Sequence, residues 1–293
     1  MLLINQNTKN LLEINLAMLC IGSSGMLGRF VPLEPGPAIW WRCLLAGLLL
    51  FVYCRYRGFS VRIGWGTEFW LVLLSGVLMA VHWVTYFYAL KLSSVAVGML
   101  AIFTYPAMTT LLEPLLTDKK MEPHHLGLAG LVVVGVYFLV PGDFSLANDM
   151  FSGLLFGLFS ALIYSLRNIM MKARVKKLNG SVVMLWQVMV TVVVLVPVLF
   201  FFPAMPDLAA APYLITLALV TTAIGHTLFL GAFKHFSVST ASLLSCVQPI
   251  YGILLGMLFF GEFPAWTSVI GGALILSAVV VEARRTMTAV KAA

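Results

Sequence analysis

The sequence predicts an all-α integral membrane protein whose ten transmembrane helices form two inverted five-helix repeats. Three observations lead there. Of the 293 residues, 61% are apolar and 10% charged, against roughly a quarter charged in an average soluble domain. That is too little polar surface to cover a water-soluble globule. The apolar residues also come in long unbroken runs, whereas a membrane β-barrel would show segments of ~10 residues with alternating hydrophobicity. Finally, YALKLSSVAVGMLAIFTYP (residues 88–106) sets beside GAFKHFSVSTASLLSCVQP (residues 231–249) without a gap, at an offset of 143.

The runs between loop signals lie at 13–31, 38–54, 68–90, 95–117, 124–141, 151–171, 181–202, 212–233, 238–260 and 264–283. The connections carry Gly, Pro, Asp, Lys and Arg, the residues that end helices and favour turns. Pro32, Pro35 and Pro37 separate the first two runs, and Arg55 to Arg62 closes the second. Asp118 to Lys120 closes the fourth, Pro141 to Asp143 the fifth, Lys172 to Lys177 the sixth and Gly261 to Pro264 the ninth. A crossing helix takes about 20 apolar residues, so ten of them leave no room for a separate soluble domain.

Basic residues set the orientation. With the N-terminus in the cytoplasm, fourteen of the eighteen Lys and Arg fall on the inner side: Lys9, Arg55, Arg57, Arg62, Lys119, Lys120, Lys172, Arg174, Lys176, Lys177, Lys234, Arg284, Arg285 and Lys291. Only Lys91 falls in an outer connection, where Glu34, Asp143, Asp149, Asp207 and Glu262 also lie. Cytoplasmic loops carry the basic excess in membrane proteins, so both termini are expected inside, in the inner (plasma) membrane. The repeat then divides the chain into residues 1–145 and 146–293. Lys91 matches Lys234, Ser94 matches Ser237, Val95 matches Val238 and Pro106 matches Pro249, while Trp41-Arg42 matches Trp186-Gln187 at an offset of 145. Five crossings per half make the second half enter from the opposite face, an arrangement that recurs in secondary transporters with a site between the halves.

Other classes lose support. The net charge of +7 is read as the basic cytoplasmic loops, not as a nucleic-acid surface. Cys20, Cys43, Cys54 and Cys246 show no CxxC or Cys/His spacing, so neither a disulfide frame nor a metal site is expected. No GxxxxGKS/T or GxGxxG phosphate loop and no HExxH or GxSxG pattern occurs, so no cofactor, built-in ATP hydrolysis or enzyme activity is expected. The start of the chain lacks the pattern of a cleavable signal peptide.

The stretches WWRCLLAGLLLFVY, YALKLSSVAVGML leading to Tyr105-Pro106, and AFKHFSVSTASLL leading to Gln248-Pro249 and GMLFFGEFP resemble the drug/metabolite transporter superfamily. Within it they resemble the ten-helix EamA family, to which aromatic amino-acid exporters of the YddG type belong. The resemblance covers nearly the whole chain. It implies a substrate cavity lined by the third, fourth, eighth and ninth helices, with the first and sixth rocking as gates. The second half ends its ninth span on Gly261-Glu262 where the first has Asp118-Lys119, so different contacts are expected there.

The candidate site residues follow from placement. Pro106 and Pro249 lie inside their spans, where a proline removes a backbone donor and leaves a carbonyl without its partner. Such breaks in hydrocarbon face protein or a wet cavity. They read as packing kinks or as a site, and their matched positions favour the site, with Tyr105 and Gln248 as substrate contacts. His82 and His226 lie near the bilayer centre, where ionisable groups are costly and face a partner or a cavity. Their offset of 144 pairs His226 with Trp83 under strict symmetry, and one residue turns a helix position by about 100°. Tyr86 shares the His82 face, and Tyr164 and Tyr251 are further aromatic candidates. Arg42 either snorkels to the outer interface and pairs with Glu34, or binds a carboxylate or holds a gate. Arg167 mirrors that role or continues the basic inner rim. Glu113 pairs with Lys119 or Lys120, or couples a proton or cation. Trp40, Trp41 and Trp186 read as interfacial belt residues, and GILLG (residues 252–256) as packing within the second repeat.

The function expected is secondary transport, as an exporter, of small organic metabolites such as amino acids, by a chain working as a monomer in the lipid bilayer. A carrier of nucleotide-like or cationic solutes, and a non-transporting receptor or scaffold, are the alternatives.

Overall fold

The structure, a computed structural model of the chain, describes residues 6–116, 123–140, 148–172, 179–232, 235, 236 and 244–292. Among these, seven helical stretches are long and apolar enough to cross a membrane, and three shorter apolar helices bring the number to ten. Lys119, Lys120, Arg174, Lys176, Lys177 and Lys234, which carry much of the expected inner charge, lie outside the described residues. So do Asp118, Asp143, Ser237 and Val238.

Local chemistry sets the helix ends. The first span runs Gln6–Gly22 and continues as Ser24–Arg29. The second, Pro35–Tyr56, opens with proline in its first turn, where the missing N–H would have no helical partner anyway. Thr67–Leu92 forms the third span. The fourth is two helices, Val95–Ile102 and Tyr105–Leu116, and the Ser94 hydroxyl caps the first by accepting from the Val97 N–H. Pro123–Leu139 and Asp149–Lys172 are the fifth and sixth spans, the sixth capped by Asn148 Oδ1 accepting from Met150 N–H. The seventh is Gly180–Leu195, with the short helix Val198–Phe201 after Pro197. The eighth passes from Ala211–Thr216 through a π-helical stretch, Leu217–His226, into Thr227–Ala232. The ninth contributes Gln248–Phe260, ended by Gly261 in the left-handed conformation that glycine adopts without penalty. Trp266–Ala292 is the tenth.

The packing is reciprocal between the halves. The third span packs on the sixth and seventh, and the eighth packs on the first and second. The second and seventh, fourth and ninth, and fifth and tenth spans pair directly. Each contact is therefore its own image, or has one, under exchange of the halves. Hydrocarbon offers no hydrophobic drive between helices, so close packing of small residues holds them together. Gly135 and Gly271 bring the fifth and tenth spans into near backbone contact: a Cβ on Gly271 would lie 2.5 Å from the Gly135 carbonyl oxygen. In GILLG, Gly252 packs on Met99 and the Gly22 carbonyl, and Gly256 on Val95. That motif therefore joins the second half to the first and does not pack the second repeat alone. Trp40, Trp41 and Trp186 are half-buried, and their indole N–H groups donate to the carbonyls of Val192, Ala204 and Val61. They tie distant segments together, a more specific role than belt residues have.

Gly271→Leu should force the fifth and tenth spans apart and cost about 1–3 kcal/mol, the usual price of overpacking. Gly127→Ala and Gly130→Ala, whose added Cβ would meet no atom within 4 Å, should stay within about 0.5 kcal/mol of the parent. Thermal unfolding of the three variants in one detergent tests the contrast.

Candidate functional site

The two broken spans meet at the centre of the protein. In the fourth, the Phe103 and Thr104 N–H groups turn back onto the carbonyls of Met99 and Ala101. Pro106 then stands in the first turn of the new helix, and Pro249 does the same in the helix starting at Gln248. The prolines thus begin helices after a turn and do not kink a continuous one. The Ser165 hydroxyl of the sixth span donates to the Tyr105 carbonyl at 2.8 Å, and Tyr105 Oη lies 3.1 Å from Ser245 Oγ across to the ninth span.

A small central cavity of about 40 Å³ lies against these breaks. That is room for water, well below the 300–1,000 Å³ of sites that hold a metabolite. Its wall includes Tyr105, Gln248, His82, Tyr86, His226, Tyr164 and Arg42. The first, second and sixth spans contribute Met18, Ile21, Ser24, Arg42 and Tyr164, so the lining is wider than the third, fourth, eighth and ninth helices. Ten lining residues form five pairs at the repeat offset of 143: Ile21 with Tyr164, Trp83 with His226, Tyr86 with Phe229, Ile102 with Ser245, and Tyr105 with Gln248. The cavity therefore sits where the repeats mirror one another. Each pair holds at least one polar group, so the shape is shared while the chemistry is not.

The polar groups are held in place. The Ser160 hydroxyl donates to the His82 carbonyl at 2.7 Å, which leaves His82 Nδ1 as the donor in its 2.8 Å contact with Ser160 Oγ. The Tyr164 ring stacks on His82 with centroids 4.4 Å apart, and Tyr105 meets Tyr164 edge-on at 4.9 Å. Trp83, the largest fully buried side chain, meets His226 at 5.5 Å. Both histidines line the cavity despite their unequal offset, because His226 takes the Trp83-equivalent position while His82 comes from the preceding residue of its own span.

Arg42 does not snorkel. It is 1% exposed, its Nε donates to Thr222 Oγ1 at 2.6 Å, and its guanidinium lies 4.7 Å from the Trp83 ring centroid. Glu34 pairs instead with Lys91 at 2.5 Å. Arg167 is 2% exposed, away from any basic rim, and donates to Gln187 Oε1 and Asn168 Oδ1. Glu113 is half-buried away from the cavity, and its suggested partners Lys119 and Lys120 lie outside the described residues. Tyr251 packs beside the site, against Met18, Ile21 and Phe229. Among the described residues, no group of three or more His, Cys, Asp and Glu side chains is arranged to hold a metal ion.

A second hollow of about 380 Å³ lies at one face, lined by Arg29, Glu34, Phe87 and Lys91 among others. Phe87 lines this vestibule, and its ring centroid lies 5.7 Å from the guanidinium of Arg42, which lines the central cavity. Glu262 braces the vestibule rim: it pairs with Arg29 and accepts from the Val95 N–H at 3.1 Å.

Trp83 entered from the sequence only as the symmetry partner of His226, and Ser24, Thr222 and Ser160 carried no signal of their own. Extending the offset of 143 from the fourth and ninth spans to the first and sixth would have singled out Ser24, the counterpart of Arg167.

Among the described residues, ten apolar helices enclose a small, partly polar cavity lined by both halves of the chain. A family model, the EamA-like transporter family, matches residues 9–140 and again 151–282, and the chain belongs to that family. An uncharacterized transporter of Archaeoglobus fulgidus is 26% identical over 197 residues, spanning 67% of this chain and 70% of that protein. The uncharacterized transporter YwfM of Bacillus subtilis is 25% identical over 269 residues, spanning 87% of each. A solved crystal structure at 20% identity superposes with a TM-score of 0.68, covering 95% of this chain and 99% of that one, and so shares the fold.

Tyr105→Phe and Ser245→Ala each remove the hydroxyl bond between the fourth and ninth spans. Each should cost about 1 kcal/mol, and the double variant little more than either alone. A double-mutant cycle read by thermal unfolding checks it.

Proposed function

We propose that the protein is a secondary carrier that exports small organic metabolites, amino acids among them, by alternating access. Residues 1–145 and 146–293 act as inverted units moving against one another around the broken fourth and ninth spans. The carrier works as a monomer in the inner membrane with both termini in the cytoplasm. The observation that carries this reading is the cavity built from five repeat-related pairs. A static receptor has no use for matched central breaks, while a carrier needs a site that both halves can close upon. The wall suits an amphipathic solute: Trp83, Phe103 and Phe229 offer apolar faces, and Arg42, Tyr105 and Gln248 offer polar ends. Arg42 is placed to hold a carboxylate, which planar guanidinium can grip with two parallel bonds.

The test is flux into proteoliposomes of labelled amino acids, nucleosides and organic cations, with and without a pH gradient. Uptake of amino acids above empty liposomes is expected, and Tyr105→Ala and Gln248→Ala should alter their half-saturation or maximal rate by about tenfold at unchanged expression, as lost substrate hydrogen bonds do. Equal flux in parent and both variants would move the site elsewhere.

A further inference from the structure

Two features of the interior belong together. The first is charge. Arg42 and Arg167 are 1% and 2% exposed, and among the described residues no carboxylate lies within ion-pair distance of either. Arg42 is met by a threonine hydroxyl and two aromatic rings. Arg167 is met by two amide oxygens and the Tyr164 ring at 5.9 Å, and its Nε has no partner at all. Neutral groups orient a guanidinium without cancelling its charge, and an uncompensated buried charge is costly. Glu34 and Glu262, the carboxylates of the nearby rim, are engaged by Lys91 and Arg29.

The second feature is symmetry. Ser24 and Arg167 stand 143 apart, and Arg42 and Gln187 stand 145 apart, each at the repeat offset of its own span. The protein therefore contains two equivalent stations, each made by one residue of the first or sixth span and one of the second or seventh. One station holds Ser24 and Arg42, the other Arg167 and Gln187. Each has one arginine, supplied by a different helix. In this structure Ser24 and Arg42 line the cavity, while the Arg167–Gln187 pair is closed on itself at 2.6 Å. When two like halves exchange conformations, the closed station takes the place of the open one.

Resting on the carrier reading above and narrowing its cargo, we infer that the preferred solute crosses as a net organic anion, ahead of zwitterionic amino acids, and passes between two guanidiniums, Arg42 in this conformation and Arg167 in the oppositely open one. The anion supplies the charge that both stations lack, and an ammonium group finds no carboxylate among the described residues of the wall. The inference also supplies a direction without a coupling ion. An inside-negative potential of 100 mV favours exit of a monoanion about fiftyfold.

Matched solutes separate charge from shape. Methyl, isobutyl and benzyl bodies are each presented as the 2-oxo acid, the amino acid and the amine to proteoliposomes carrying protein inserted in one orientation, under valinomycin-set potassium potentials. The 2-oxo acids are expected to enter fastest and to respond to the sign of the potential. Arg42→Gln should raise half-saturation about tenfold or more from the vestibule side and little from the other, and Arg167→Gln the reverse, with the Lys variants less affected, as expected when a charge-assisted bond is lost. Amino acids or amines moving while the 2-oxo acids do not would overturn the anion assignment and leave the carrier standing. Either arginine affecting both sides equally would overturn the hand-over. Flux of none of the nine solutes by protein with an unchanged unfolding temperature would overturn both.

Discussion

A chain immersed in hydrocarbon has no water to satisfy a free backbone amide or carbonyl, and that constraint governs where this protein can be irregular. Its fourth span breaks where the Phe103 and Thr104 N–H groups can turn back onto the Met99 and Ala101 carbonyls and where the Tyr105 hydroxyl can reach Ser245. Tyr105 and Ser245, the polar side chains joined across the break, also line the candidate site. Seen this way, the cavity is the place where the backbone is allowed to be open, and the neighbouring helices are polar there because they must be.

Charge is sorted by depth on the same logic. At the vestibule rim, where water reaches, Arg29 meets Glu262 and Lys91 meets Glu34, and such partly exposed pairs contribute little net stability. At the centre, two guanidiniums have hydroxyls, amides and rings around them and, among the described residues, no carboxylate within ion-pair distance. A fold that needed only stability would have replaced them with apolar side chains, since buried charge is seldom the cheapest solution.

Helix number, duplication and the central breaks were legible from long apolar runs and one gapless internal match, because hydrophobicity and proline act locally. The destination of Arg42 was not. Five residues after Pro37 it looked close enough to water to snorkel, and only the fold of the third span over it, with Trp83 and Phe87 stacked on the guanidinium, shows that it cannot. His226 was a candidate whose facing its offset left open: periodicity gives a face but not the rotation of one helix against another. Ser24 was invisible for a simpler reason, because a serine in an apolar run carries no signal until its counterpart is known to be an arginine.

The π-helical stretch of the eighth span, Leu217–His226, has no counterpart in the third, which is described as one α-helix from Thr67 to Leu92. Each π turn closes with one more residue than an α turn, so the two halves differ in backbone as well as in side chains. A pair of identical halves would leave the two mirror-related conformations degenerate in energy. These halves are unequal, so in the proposed alternating-access cycle that degeneracy is lifted by the covalent sequence itself.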